Sequence, residues 1–140
     1  MSRRIAGFLD SNIVIHAFAQ DAHSEECRQF LRAVREGVVT AILDPMVLHE
    51  ITYSLLKFAK QMSRDDMADH LHSLLLMQGL VGDRVVLQKA LTLWRENAGV
   101  GFVDCFLAAR AIERDNLVFT KNVRDLRRLG ANVPDPLPLE

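Results

Sequence analysis

Apolar positions recur along this chain with two different periods. Three short, nearly continuous apolar runs, at 5–9, 38–43 and 117–120, have the length and β-branched content of buried strands. The first stops abruptly at Asp10-Ser11-Asn12, residues that favour helix starts and turns. Between the runs, apolar residues return every three or four positions, the spacing of amphipathic helices. Cys27, Phe30, Leu31 and Val34 form one such stripe, opened by Ser24, Glu25 and Glu26 and stopped by Gly37. Asp44-Pro45 opens the next, with Val47, Leu48, Ile51, Leu55 and Phe58 on one side. Ser63 and Asp66 resemble a capping box ahead of Met67, Leu71, Leu74 and Leu75. Asp83 begins a helix that turns Leu87, Ala90, Leu91 and Trp94 inward. After Gly99 and Gly101, the pattern predicts a helix over 102–113 with Val103, Phe106, Leu107 and Ala111 facing the core. A short polar segment, 121–129, precedes a possible last strand at 131–133.

Strands alternating with helices predict an α/β fold with a mostly parallel sheet covered on both faces. Such sheets carry their functional groups beyond the carboxyl ends of the strands. Asp10 and the segment Thr120-Lys121-Asn122 both follow a predicted strand, so both are expected there. One domain is expected over 1–133, with 134–140 as a proline-rich tail that cannot be regular structure.

Composition narrows the reading. The 140 residues include 17 basic and 18 acidic side chains, a formal net charge of −1, so no global basicity marks a nucleic-acid binder. Contact with a polyanion would need a local patch or a metal. Cys27 and Cys105 form no C-x-x-C pair, and a reducing cytoplasm is the simpler setting. Ser2-Arg3-Arg4 and the apolar run after it resemble the start of a signal peptide, but Asp10 and Asn12 interrupt that run. No apolar stretch is long enough to span a bilayer. A soluble, cytoplasmic protein is expected.

Three carboxylates then ask for an explanation. Asp10 ends the first strand, where a lone aspartate is most simply a helix cap. Glu50 lies inside a helix among apolar neighbours, beside Val47 and Ile51, and taken alone is a solvated rim residue. Asp104 is the strongest of the three, because Gly101-Phe102-Val103-Asp104-Cys105-Phe106-Leu107 offers no other charge. A carboxylate in the first turn of an apolar helix costs desolvation energy unless the helix N-terminus or a cation compensates. Three such groups in one crevice would repel one another, and Mg²⁺ or Mn²⁺ with its preference for oxygen ligands removes the conflict. An ion held this way polarises a phosphodiester and makes bound water a better nucleophile.

Asp10-Ser11-Asn12 after a strand, Glu50 on a helix, Asp104 in Val-Asp-x-x-Leu-Ala-Ala, and Thr120-x-Asn122-x-x-Asp125 together resemble the PIN-domain ribonucleases. In size and spacing the chain is similar to the VapC toxins of toxin–antitoxin pairs, over nearly its whole length. The resemblance implies a three-layer α/β/α sandwich and Mg²⁺- or Mn²⁺-dependent endoribonuclease activity. It also implies homodimerisation and inhibition by a small VapB-like antitoxin. Carried over position by position, Asp10, Glu50 and Asp104 match the family's three best-kept acidic residues, with Ser11, Asn12 and Thr120 in supporting positions. Ser11 stands where threonine is more usual. Asn122 stands where family members often have aspartate, so the fourth ligand is either Asn122 or Asp125; Asp125 could equally be a surface partner for Arg128.

Lys57, Lys60 and Arg64 near the end of the Glu50 helix, and Lys121, Arg124, Arg127 and Arg128 after the last run, are candidates for holding RNA phosphates. Ordinary solvated surface is their commoner fate. His16, His23, His49, His70 and His72 share no zinc-ligand spacing. A nucleotide-binding α/β domain would show a glycine-rich loop after its first strand, and none is present. An aspartyl-nucleophile phosphatase would suit Asp10 and Lys121 but would want a second acidic residue beside Asp10. The remaining alternative is a catalytically weak PIN-like domain that acts as an RNA- or partner-binding module, a reading that rests on Asn122.

Overall fold

A computed structural model of the chain describes residues 5–139, which fall into two compact units that divide between Arg84 and Val85. The segment Ser2-Arg3-Arg4, singled out for its likeness to a signal peptide, lies outside the described residues.

The first unit begins with strand β1 (Ile5–Phe8), followed by helices α1 (Ser11–Phe18) and α2 (Ser24–Arg35), strand β2 (Val39–Ile42), helices α3 (Pro45–Phe58) and α4 (Arg64–Leu75), and strand β3 (Leu80–Val81). The strands form one parallel sheet in the order β1-β2-β3, with Ile5 opposite Val39, Phe8 opposite Ile42, and Ala41 opposite Leu80. Backbone bonds from Leu9 to Ile42 (2.8 Å) and from Leu43 to Val81 (2.8 Å) carry the ladder one residue past each strand. Because β1 and β2 run the same way, α1 and α3 start from the same edge of the sheet, and the two helices pack on each other.

Side-chain caps explain two of the four helix starts in this unit. Asp44 accepts a hydrogen bond from the Met46 N–H (2.9 Å) with Pro45 in the first turn of α3, and Ser63 accepts one from the Asp66 N–H (3.0 Å) at the start of α4. Between α1 and α2, Asp21 binds the His16 ring (2.8 Å) and accepts the His23 N–H (2.8 Å), while the buried Ser24 hydroxyl lies against the Ala19 carbonyl (2.8 Å). The bond to His16, then that to the His23 N–H, hold the Asp21 carboxyl below its ordinary value. Leu48, Ile51, Leu55, Met67, Leu71, Leu74 and Leu75 are buried, as the stripes on α3 and α4 predict.

The second unit holds most of α5 (Arg84–Glu96), together with α6 (Phe102–Glu113) and α7 (Val123–Arg128), the latter two packed on each other. Val86, Leu87, Leu91 and Trp94 are buried along α5.

Several expectations change. The run at 117–120 is not a strand: its only ladder contact among the described residues is an isolated parallel bridge from Leu117 to Asn132, which also accounts for the expected strand at 131–133. The third strand is instead Leu80–Val81, too short to show a period. β1 is not buried, with Ile5 71% and Phe8 79% exposed; it is the edge of the three-stranded sheet, and burial begins only at Leu9. On α6, Val103 and Leu107 are exposed, and the buried face is Phe102, Cys105, Ala108, Ala109 and Ala111. Phe58 at the end of α3 is exposed too. The segment 121–129 contains α7. Both cysteines are free and buried, and burial pushes the Cys27 thiol up from its ordinary value.

Candidate functional site

Asp10 follows β1 directly and occupies the N-cap position of α1 with extended backbone, yet its side chain accepts no capping hydrogen bond. This departs from the cap role that a lone aspartate suggests, since such a cap stabilises a helix by roughly 1 kcal/mol. The carboxylate instead lies 3.4 Å from the Ser11 hydroxyl, which also reaches Glu50 Oε2 at 3.0 Å. The parallel strands are what bring these residues together. They start α1 and α3 from one edge of the sheet, so the first residue of α1 meets Glu50 in the second turn of α3.

Glu50 is solvent-exposed, not at the margin of the buried face as the sequence suggests. Leu48, Ile51, Thr52 and Leu55 define the buried side, and Glu50 points about 150° away from its middle. A serine hydroxyl has one proton to donate, so Ser11 satisfies Asp10 or Glu50 but not both. Neither carboxylate is paired with a lysine or arginine among the described residues. Two adjacent negative groups with one shared donor make an oxygen-rich, electrostatically incomplete pair, which fits a hard divalent cation.

The second unit contains a matching arrangement. Asp104 is half-buried in the first turn of α6, where the unpaired N–H groups of the helix start favour negative charge. Asn122 is the N-cap of α7 and, like Asp10, does not use its side chain to cap; its amide donates to Asp104 Oδ2 at 3.4 Å. The Asn122 N–H donates to Thr120 Oγ1 (2.9 Å), a short turn that fixes where the amide points. Asp125, the other candidate for the fourth position, lies 3.7 Å from Arg124, so its charge partner is Arg124 and not Arg128.

Ser11, Glu50 and Asp10 thus form one constellation, and Asp104, Asn122 and Thr120 another, each within its own unit. Among the described residues no group of three His, Cys, Asp or Glu side chains stands in a metal-binding cluster. The five histidines follow this: His16 and His23 meet edge to face at 4.9 Å, and His70 meets Phe18 at 5.1 Å.

Lys57, Lys60, Lys121, Arg124 and Arg128 are all exposed, as is Asn12 in the first turn of α1. The Lys57 ammonium lies 5.4 Å from the Phe58 ring centre. Arg127 is tied to the Val133 carbonyl (2.9 Å), which gives it a structural role. A concavity of about 320 Å³ in the first unit lies between α1, α2 and α4, is lined by Phe18, Leu31, Arg32, His70 and Leu74 among others, and includes none of the carboxylates. One exposed residue near Glu50 escaped the sequence reading. Tyr53 shares the outer face of α3, and only the phase of the helix could have revealed it.

No helix among the described residues is long and apolar enough to cross a membrane. No curated protein matches the chain. The PIN domain family, however, matches residues 7–132, a span that includes every carboxylate above and carries the α/β sandwich fold. That family consists of nucleases, typically metal-dependent and acting on RNA. Over nearly its whole length, then, this chain belongs to the PIN domain family.

Proposed function

We propose that the protein is an endoribonuclease dependent on Mg²⁺ or Mn²⁺, with Asp10, Glu50 and Asp104 as the ligands and Asn122 completing the set. The observation that carries this is the pair of caps that do not cap. Asp10 and Asn122 each occupy an N-cap position and forgo its stabilisation, while Asp44 and Ser63 use theirs. Side chains released from a structural task, each near an acidic residue, are what a ligand site needs. Asn122 is preferred to Asp125 because its amide already contacts Asp104, whereas Asp125 faces Arg124.

A divalent ion at these oxygens would supply a polarised phosphodiester and a more acidic bound water. The chain's own groups do the remainder. Ser11 lies between Asp10 and Glu50 and donates to one of them at a time, the first turn of α6 positions Asp104, and Thr120 fixes the Asn122 amide. Whichever carboxylate is left without the Ser11 proton is the one available to accept a proton from water. Exposed Lys121, Arg124 and Arg128 in one unit and Lys57 and Lys60 in the other offer positive charge for RNA phosphates.

The finer assignment is a toxin of the VapC kind, cytoplasmic and homodimeric, restrained by a small VapB-like antitoxin. It rests on the length of the chain and the spacing of its motifs. The expected outcome is cleavage of a structured RNA by the purified protein with Mg²⁺ or Mn²⁺, stopped by EDTA. Asp10→Asn and Asp104→Asn should each lower the rate at least about a hundredfold, since each removes a charged ligand. Full cleavage by either variant would refute the mechanism. A catalytically weak binding module would bind RNA but leave it intact under all of these conditions.

A further inference from the structure

The outer face of α3 is unusual for a helix in water. Met46, Glu50, Tyr53 and Lys57 are spaced by four, three and four residues, so all lie within an arc of about 60° directly opposite the buried side. Met46 is 77% and Tyr53 62% exposed, and both charged members are exposed as well. From Glu50 to Lys57 the stripe covers about 10 Å of helix, with Tyr53 between them. An isolated exposed tyrosine needs no explanation. A tyrosine with a candidate ligand on one side and an ammonium group on the other is a different matter.

We infer that Tyr53 and Lys57 form a subsite for single-stranded RNA next to Glu50, in which the Tyr53 ring stacks on an unpaired base and Lys57 holds a neighbouring phosphate. The inference rests on the nuclease reading, because it takes Glu50 as the point from which the strand leads away. Single-stranded RNA offers alternating aromatic faces and phosphates, which an aromatic ring and a lysine one turn apart can take up in sequence. Base faces stack on tyrosine whatever their identity, so the subsite selects unpaired structure and not a base. Lys57, with Lys60 beyond the helix end, complements the strand's charge. The competing occupant is a second copy of the chain. It would bury Glu50 and Lys57 and so block the carboxylate that the nuclease reading requires to be reachable.

Tyr53 is the only tyrosine in the chain, so ring-labelled tyrosine gives a single magnetic-resonance signal from the proposed subsite. The titration uses the full protein in EDTA with an adenine octaribonucleotide, and with an adenine–uracil duplex of the same length. The ring signal should move upfield with the single strand and stay in place with the duplex. Tyr53→Ala should weaken octanucleotide binding about tenfold and Tyr53→Phe by less than twofold, as removal and retention of one stacking ring require. Lys57→Ala should weaken binding and lower its salt dependence. A ring signal unmoved at saturation, or moved equally by the duplex, overturns the inference. So does a Tyr53→Ala variant that changes from dimer to monomer with its RNA affinity intact, which would assign the face to a second copy. If octanucleotide binding depends on Tyr53 while no RNA is cleaved with Mn²⁺, the nuclease reading fails and the subsite stands. If cleavage depends on Asp104 but Tyr53→Ala leaves KM unchanged, the subsite alone fails.

Discussion

Asn122 is where one atom decides the strength of the candidate metal site. A side-chain amide offers one neutral oxygen, and in this structure its nitrogen end faces Asp104, so an ion would have to compete with that contact or turn the amide over. Asn122→Asp adds a charged ligand at the same position. It should lower the dissociation constant for Mn²⁺ at least about tenfold, because charge count among oxygen ligands sets affinity. Asn122→Ala should weaken it, and calorimetric titration of both variants checks the order. An aspartate variant that binds no better than the wild type would point to Asp125 instead. None of this competition was legible in the sequence, where Asn122 and Asp125 are simply three residues apart. What distinguishes them is the Thr120 turn and the nearness of Arg124, both tertiary details.

For whole elements, the capping chemistry is the part that sequence conveys best. Asp44 and Ser63 behave as their neighbours dictate, and Asp44→Ala should cost about 1 kcal/mol of stability in urea unfolding while leaving the candidate site unchanged. The α3, α4 and α5 stripes, Phe58 excepted, are read correctly because large residues occupy their buried faces. α6 misleads for the opposite reason. Val103 and Leu107 are exposed, and after Phe102 the buried face is made of small residues, Cys105, Ala108, Ala109 and Ala111, which leave little hydrophobic signal. Strands suffered more, since a two-residue element such as β3 leaves no pattern, and an apolar run such as 117–120 is compatible with a single bridge. Asp10, Glu50 and Asp104 stand out in the sequence one by one. The reason Ser11 bridges Asp10 and Glu50 does not, because it depends on which strands lie side by side.

Across the molecule, the balanced charge of −1 leaves RNA affinity to a handful of local groups, so binding should be weak outside the site and strongly dependent on salt. The first unit is also held at a point with no chemistry at all. A Cβ on Gly79 would sit 2.1 Å from the Val39 carbonyl oxygen and 2.8 Å from that of Val34, both backbone atoms that cannot swing aside. The Gly79 N–H meanwhile donates to Val34 (2.8 Å), and its carbonyl receives the Ala41 N–H (2.8 Å), tying α2 and β2 to the entry of β3. Gly79→Ala should therefore cost at least about 3 kcal/mol, read as a lowered thermal midpoint. Every single-base change that alters a glycine codon installs a side chain or a stop, so this position has no neutral neighbour in the genetic code. In a survey of variants scored by activity it would look as intolerant as Asp10. Only a parallel measurement of how much protein accumulates would tell a residue that does chemistry from one that merely lets the chain close.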